Sequence, residues 1–129
     1  MIIYYDSKTG NVRKFVEKLV ALKPNWTAVN IQDGFKGGGH LITYTVANGS
    51  PPATSVAFLK MHGKAIRSVS VSGNRNWGLR FAQAAKIINR TFGIPILLKF
   101  EISGFQNDLE FFIENVIKYE KDNNKIRKI

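Results

Sequence analysis

The sequence predicts a doubly wound α/β domain built on five strands. Three observations carry this: short β-branched and aromatic runs recur along the chain, amphipathic segments of helical period separate most of them, and Gly, Pro and Asn clusters mark the joints. Residues 2–5 form an apolar run that stops at Asp6-Ser7, a buried strand entering a turn. From Asn11 the period changes. Val12, Phe15, Val16, Leu19, Val20 and Leu22 fall on one helical face, Arg13, Lys14, Glu17 and Lys18 on the other, and Pro24 ends the helix. A second strand follows over 27–31 and a third over 41–46, joined by the Gly-rich segment 33–39 in place of a helix.

Asn48-Gly49-Ser50-Pro51-Pro52 breaks the chain before a helix over 53–61. A fourth strand over 65–72 runs into a loop over 73–78. Phe81, Ala84, Ala85, Ile88 and Phe92 then mark a helix over 79–92, which Gly93 and Pro95 stop. A fifth strand covers 96–102. Leu109, Phe112, Ile113, Val116 and Ile117 give a last amphipathic helix. The reading is one domain over 1–120 and a charged, Asn-rich tail over 121–129 that frays. Helices alternating with apolar strands favour a mostly parallel sheet covered on both faces.

Composition narrows the chemistry. The 129 residues carry 19 Lys and Arg against 9 Asp and Glu, a net charge of +10. The excess lies in the body: residues 1–100 hold 14 basic and 3 acidic side chains, residues 101–129 hold 5 and 6. The absence of cysteine excludes disulfides, thiolate metal sites and thiol catalysis. No apolar run reaches the roughly 18 residues of a membrane span, and the first residues lack the basic start and cleavage site of a signal peptide, so the expected location is the cytoplasm. His40 and His62 have no acidic or His neighbour at ligand spacing, so no metal site is expected.

In parallel α/β sheets ligands bind beyond the carboxyl ends of the strands. Three loops emerge there. The first, Ser7-Lys8-Thr9-Gly10-Asn11-Val12, offers two hydroxyls, an amide and the free N–H groups of a helix start to an anion. The plainer alternative is that Ser7 or Thr9 caps the helix. It is neither a Walker A loop nor Gly-x-Gly-x-x-Gly, which disfavours nucleotide triphosphate hydrolysis. The second loop is Thr45-Val46-Ala47-Asn48-Gly49-Ser50-Pro51. The third, Ser72-Gly73-Asn74-Arg75-Asn76-Trp77-Gly78, sets amide side chains and an indole where they can meet the edge and face of a heterocycle, unless Trp77 only anchors the helix start.

Ser-x-Thr-Gly-Asn after the first strand resembles the FMN phosphate loop of flavodoxins. With Ser72 to Gly78 after the fourth strand and Lys99-Phe100-Glu101-Ile102-Ser103-Gly104 at the end of the fifth, nearly the whole chain resembles the NrdI family, small flavodoxin-like partners of class Ib ribonucleotide reductase. The resemblance implies a flavodoxin-like three-layer sandwich with strand order 2-1-3-4-5. It implies FMN as cofactor, its phosphate held by Ser7, Lys8, Thr9, Gly10, Asn11 and Val12. The ring would be bordered by Ser72, Gly73, Asn74, Asn76, Trp77 and Gly78 on one side, and by Thr45 through Pro51 on the other.

It further implies that the reduced flavin, fed by a cellular flavin reductant, reacts with dioxygen. A superoxide-type oxidant then passes to the reductase small subunit for assembly of its dimanganese–tyrosyl radical cofactor, the metals belonging to that partner. One departure stands out. Relatives of this type read Thr-Thr-Gly-Phe-Gly after the third strand, where this chain reads Thr45-Val46-Ala47-Asn48-Gly49, so the residue able to flip its peptide is displaced toward Asn48-Gly49. Two other readings remain: a general flavodoxin-type electron carrier, and a basic nucleic-acid-binding module suggested by the charge together with Arg75 and Trp77. No basic helix stripe or base-reading motif supports the latter. Glu101 is placed to touch a partner or cofactor but is read first as a strand-end ion pair, and Asp6, a candidate general acid, is read first as a turn-fixing residue.

Overall fold

In the computed structural model, which describes residues 1–127, a five-stranded parallel sheet carries helices on both faces. The strands are β1 (Ile2–Tyr5), β2 (Thr27–Asn30), β3 (Gly39–Tyr44), β4 (Ile66–Gly73) and β5 (Ile96–Glu101), in the order β2-β1-β3-β4-β5. The helices are α1 (Asn11–Leu22), α2 (Ala53–His62), α3 (Gln83–Phe92) and α4 (Gln106–Arg127).

Alternation along each strand divides the core. Ile3, Ile42 and Phe100 face α1 and α4, where they meet Phe15, Leu19, Phe112 and Val116. Tyr4, Leu41, Val69 and Val71 face α2 and α3, against Phe58, Leu59, Ala85 and Ile88. Phe15 stacks on Phe100 with ring centres 4.2 Å apart and meets Phe112 edge-on. This pins α1, and with it the loop before α1, to the sheet.

The crossover from β2 to β3 has no α-helix, as the Gly-rich segment suggests. Asn30 ends β2 by accepting a hydrogen bond from the Gln32 N–H, which starts a short 3-10 turn over Ile31–Asp33. The Tyr4 hydroxyl then holds the loop from the core: it donates to the Gly37 carbonyl (2.6 Å) and accepts from the Lys36 N–H (2.8 Å). Phe35 lies parallel to the Tyr4 ring.

Several expected boundaries move, three of them for a clear physical reason. The strand expected to reach residue 46 stops at Tyr44, because the Val46 N–H turns to the Ser50 carbonyl instead of the sheet. The helix expected from residue 79 begins at Gln83. Before it, Arg75–Arg80 form a 3-10 segment broken at Gly78 (φ 60°, ψ −122°), and Ala82 takes a left-handed backbone (φ 50°). The tail expected to fray from Lys121 continues α4 to Arg127, with residues 128–129 outside the described chain. No Pro or Gly interrupts 105–127, and Lys, Glu and Asn side chains tolerate helix well enough once one turn is tethered.

The tether is Glu120. At the amino end of the sheet His40 is fully buried, and its Nε2 lies 2.6 Å from Glu120 Oε1. Its Nδ1 lies 2.6 Å from the hydroxyl of buried Ser68. A carboxylate only accepts, so Nε2–H donates to Glu120 and the Ser68 hydroxyl donates to Nδ1 of the neutral ring. Arg67 completes the group, both Glu120 oxygens accepting from its Nη1. This Ser–His–Glu alignment, not visible in the sequence, buries its serine and histidine and ties α4 to β3 and β4.

Burial pushes the His40 pKa below its ordinary 6.5; Arg67 and the amino terminus add to that push, and the attraction of Glu120 only partly offsets it. For Glu120 burial acts upward, but His40 and Arg67 together outweigh it and hold the carboxyl below 4.5. As pH falls below 6.5 the unfolded chain takes up the histidine proton first, so this contribution is full above 6.5 and lost below it. The Glu120 contribution goes the same way below 4.5. Urea unfolding midpoints are therefore expected to fall from pH 7.5 to pH 5.5. His40→Gln should flatten that slope and cost roughly 1–3 kcal/mol at pH 7.5.

Candidate functional site

All three loops singled out by sequence meet in one cleft of about 390 Å³ at the carboxyl ends of β1, β3 and β4. That volume lies in the range that holds a small cofactor. Ser7, Lys8, Thr9, Asn11 and Val12 form one end, Thr45, Val46 and Ala47 one side, and Ser72, Gly73, Asn74 and Trp77 the other. Tyr44, and Ile102 of the 99–104 segment, neither of them expected in the site, complete the lining. Gly10 instead borders an adjoining polar hollow with Lys8, Thr9 and Arg13.

The first loop turns into α1 through Gly10, whose φ of 94° suits glycine. Gly10 gives α1 no side-chain cap, so capping falls in part to Ser7, which accepts the Arg13 N–H at 3.3 Å; Thr9 caps nothing. The Asn11 and Val12 N–H groups, the first of α1, have no intrahelical acceptor and lie beside the cleft. Lys8 adds a cation, and no acidic side chain lines the cleft.

Below this loop Asp6 is buried and accepts from the Thr54 and Ser55 hydroxyls at 2.5 and 2.7 Å, which fixes the start of α2. The carboxylate thus secures a distant helix start and not the turn that follows β1, the role expected of it. Burial, with the negative charge of Asp6, pushes the Tyr44 pKa above 10.0 and keeps its phenol a neutral donor at the cleft wall.

Asn48, Gly49, Ser50 and Pro51 do not line the cleft; they make the turn that presents Val46 and Ala47. The Gly49 N–H donates to the Val46 carbonyl (2.7 Å), and Asn48 Oδ1 accepts the Ser50 N–H (3.0 Å). Positive φ falls on Gly49 and not on Ala47, as the Asn-Gly dipeptide suggested.

The third loop is braced rather than mobile in design. Asn74 caps the 3-10 segment by accepting the Asn76 N–H, so Asn76 supports the loop from outside the cleft, as does Gly78. Glu101 accepts the Arg75 N–H (3.1 Å) and pairs with its guanidinium, confirming the strand-end ion pair. Arg75 also covers the Phe81 ring. Trp77 is half-buried, one wall of the cleft and not a residue of either core.

The family described as "NrdI Flavodoxin like" matches residues 3–114, most of the sheet and all three loops. The chain belongs to the NrdI flavodoxin-like family. A Bacillus licheniformis relative named Protein NrdI is 40% identical over 114 residues, covering 88% of this chain and 86% of its own. The SPbeta prophage-derived protein NrdI of Bacillus subtilis is 37% identical over 124 residues, 95% of each chain. Among solved structures, oxidised Flavodoxin 2 from Bacillus cereus matches with a TM-score of 0.66 at 19% identity, over 94% of this chain and 97% of that one. A Streptococcus pneumoniae flavodoxin matches with a TM-score of 0.62 at 21% identity, over 91% and 97%. These two likenesses establish the shared fold.

FMN, the cofactor that membership of the NrdI family implies, fits the residues present. Its phosphate needs converging donors without a competing carboxylate, which the α1 end of the cleft provides. Its ring system needs flat apolar walls with polar edges. Trp77, Val46 and Ala47 supply the walls, and Thr45 contributes a buried hydroxyl with no hydrogen-bond partner among the described residues. Among the described residues no cluster of His, Asp or Glu could hold a metal, and no helix is long and apolar enough to cross a membrane.

The cleft depends on a glycine at residue 73. A Cβ there would lie 2.6 Å from the Ala82 backbone nitrogen, which has no flexible way out. Gly73→Ala is expected to lower folding stability by roughly 1–3 kcal/mol through overpacking, measured by urea unfolding of the flavin-free protein.

Proposed function

We propose that this chain is the FMN-binding redox accessory protein of a class Ib ribonucleotide reductase. It would act in the cytoplasm and deliver its product to the dimanganese small subunit. When bound and reduced by a cellular flavin reductant, the flavin supplies one electron to dioxygen, giving the superoxide-type oxidant used to assemble the partner's tyrosyl radical cofactor. The observation that carries this reading is the convergence of a helix-terminal donor set and an indole wall in a cleft free of acidic side chains, within a chain of the NrdI family.

The protein's part is to bind, orient and bias. Ser7, Thr9, Asn11 and the first N–H groups of α1 hold the phosphate, with Lys8 balancing its charge. Gly10 lets the backbone turn close to it. Trp77 covers one face of the ring, while Val46 and Ala47 offer backbone groups to its edge. The turn at Asn48-Gly49 sets which peptide faces the ring, and Gly49, already at φ 95°, is the point at which it can pivot. The basic body, net +11 over residues 1–100, lowers the free energy of adding negative charge in the cleft and draws anionic partners or products toward it.

The purified protein should be yellow and bind one FMN. After anaerobic reduction and exposure to oxygen, it should generate radical in a manganese-loaded class Ib small subunit. Electron transfer to acceptors without radical formation would favour the general carrier reading; a colourless protein that ignores added FMN would overturn the reading altogether. Trp77→Ala should weaken FMN binding by roughly 1–3 kcal/mol, the scale of one aromatic stacking contact, and shift the visible flavin spectrum. An unchanged spectrum and affinity would return Trp77 to a structural role.

A further inference from the structure

Among the described residues two non-glycine positions hold a left-handed backbone, Ala82 (φ 50°) and Ile102 (φ 57°), and both bear on Gly73. For Ala82 the reason is packing: it is fully buried in the core. Ile102 has no such reason. A β-branched residue is among the least suited to this conformation, and at 46% exposure Ile102 gains little from burial within its own chain. Its backbone is nonetheless held on both sides. The Ile102 N–H donates to the Gly73 carbonyl at 2.9 Å, and the Ser72 hydroxyl donates to the Ile102 carbonyl at 2.5 Å. The preceding residue, Glu101, is fastened to Arg75. The result is an isoleucine turned off the end of β5 and onto the wall of the cleft that Trp77 and Val12 also line.

Strain of this kind persists where surrounding contacts over-determine it and the strained group has work to do. We propose that Ile102 is a cofactor-contact residue: it forms an apolar wall of the FMN site, and the Ser72–Gly73 clamp on its left-handed backbone keeps its side chain against the flavin. The missing burial of Ile102 is then completed by the cofactor. This deepens, and rests on, the FMN-binding reading above.

The test compares Ile102→Gly, Ile102→Asn and Ile102→Leu with the unaltered chain. Glycine relaxes the backbone and removes the wall; asparagine suits the left-handed backbone but is polar; leucine restores an apolar wall. FMN titration should show a dissociation constant about tenfold higher for the glycine and asparagine variants, the loss of one apolar side-chain contact, with leucine close to the unaltered protein. The urea midpoint of the flavin-free glycine variant should hold or rise. Unchanged FMN affinity in the glycine and asparagine variants would overturn the proposal, as would a fall in flavin-free stability that tracks the loss of affinity. Failure of the unaltered protein to bind FMN would instead overturn the parent reading.

Discussion

The close approach of backbone to backbone at Gly73 organises the functional end of this molecule. With no side chain there, the chain that leaves β4 can fold back until the Ala82 nitrogen occupies the space a methyl group would need. The same residue's carbonyl receives the end of β5. One missing methyl thus lets the 74–81 excursion, which carries Trp77, leave the sheet and return to it within a few residues. The neighbouring β3 turn is set against it through the Thr45 N–H, which donates to the Ser72 carbonyl. The cleft is the gap left between these two turns and the start of α1.

The sheet ends differ in kind. At the carboxyl end polar groups are left open: helix N–H groups, hydroxyls and a lysine face the cleft. At the amino end they are closed on one another, with Ser68, His40, Glu120 and Arg67 satisfying each other's donors and acceptors under α4. A satisfied buried network rigidifies; an open one recognises. The alignment of a serine, a histidine and a glutamate at the closed end is therefore a fastening, because no substrate can reach a fully buried ring.

The helix faces and the three loops were legible because each rests on local chemistry, whereas the strand order came only with the family resemblance. Alternating runs, helical spacing and Asn-Gly or Gly-Pro breaks are written in neighbouring residues. What was not legible depends on residues far apart in sequence. Residues 79–82 keep a helical pattern of apolar side chains, yet Gly73 draws Ala82 back to the sheet and delays α3. The charged stretch from Lys121 reads as tail, yet Glu120 reaches His40, eighty positions away, and the helix carries on. Tyr44 and Ile102 read as ordinary strand-end residues and were not expected in the site; only the folded sheet brings them to border the same space. Of the residues expected beside the ring, Asn76, Gly78 and 48–51 lie in these loops but outside the lining of the cleft.

The unpaired hydroxyl of Thr45 carries a consequence for the protein's lifetime. A buried oxygen with no partner penalises the empty fold, and any ligand that satisfies it is bound by the native chain alone. Filling the cleft and holding the fold together are then one act: a chain with its cofactor in place unfolds less often than an empty one.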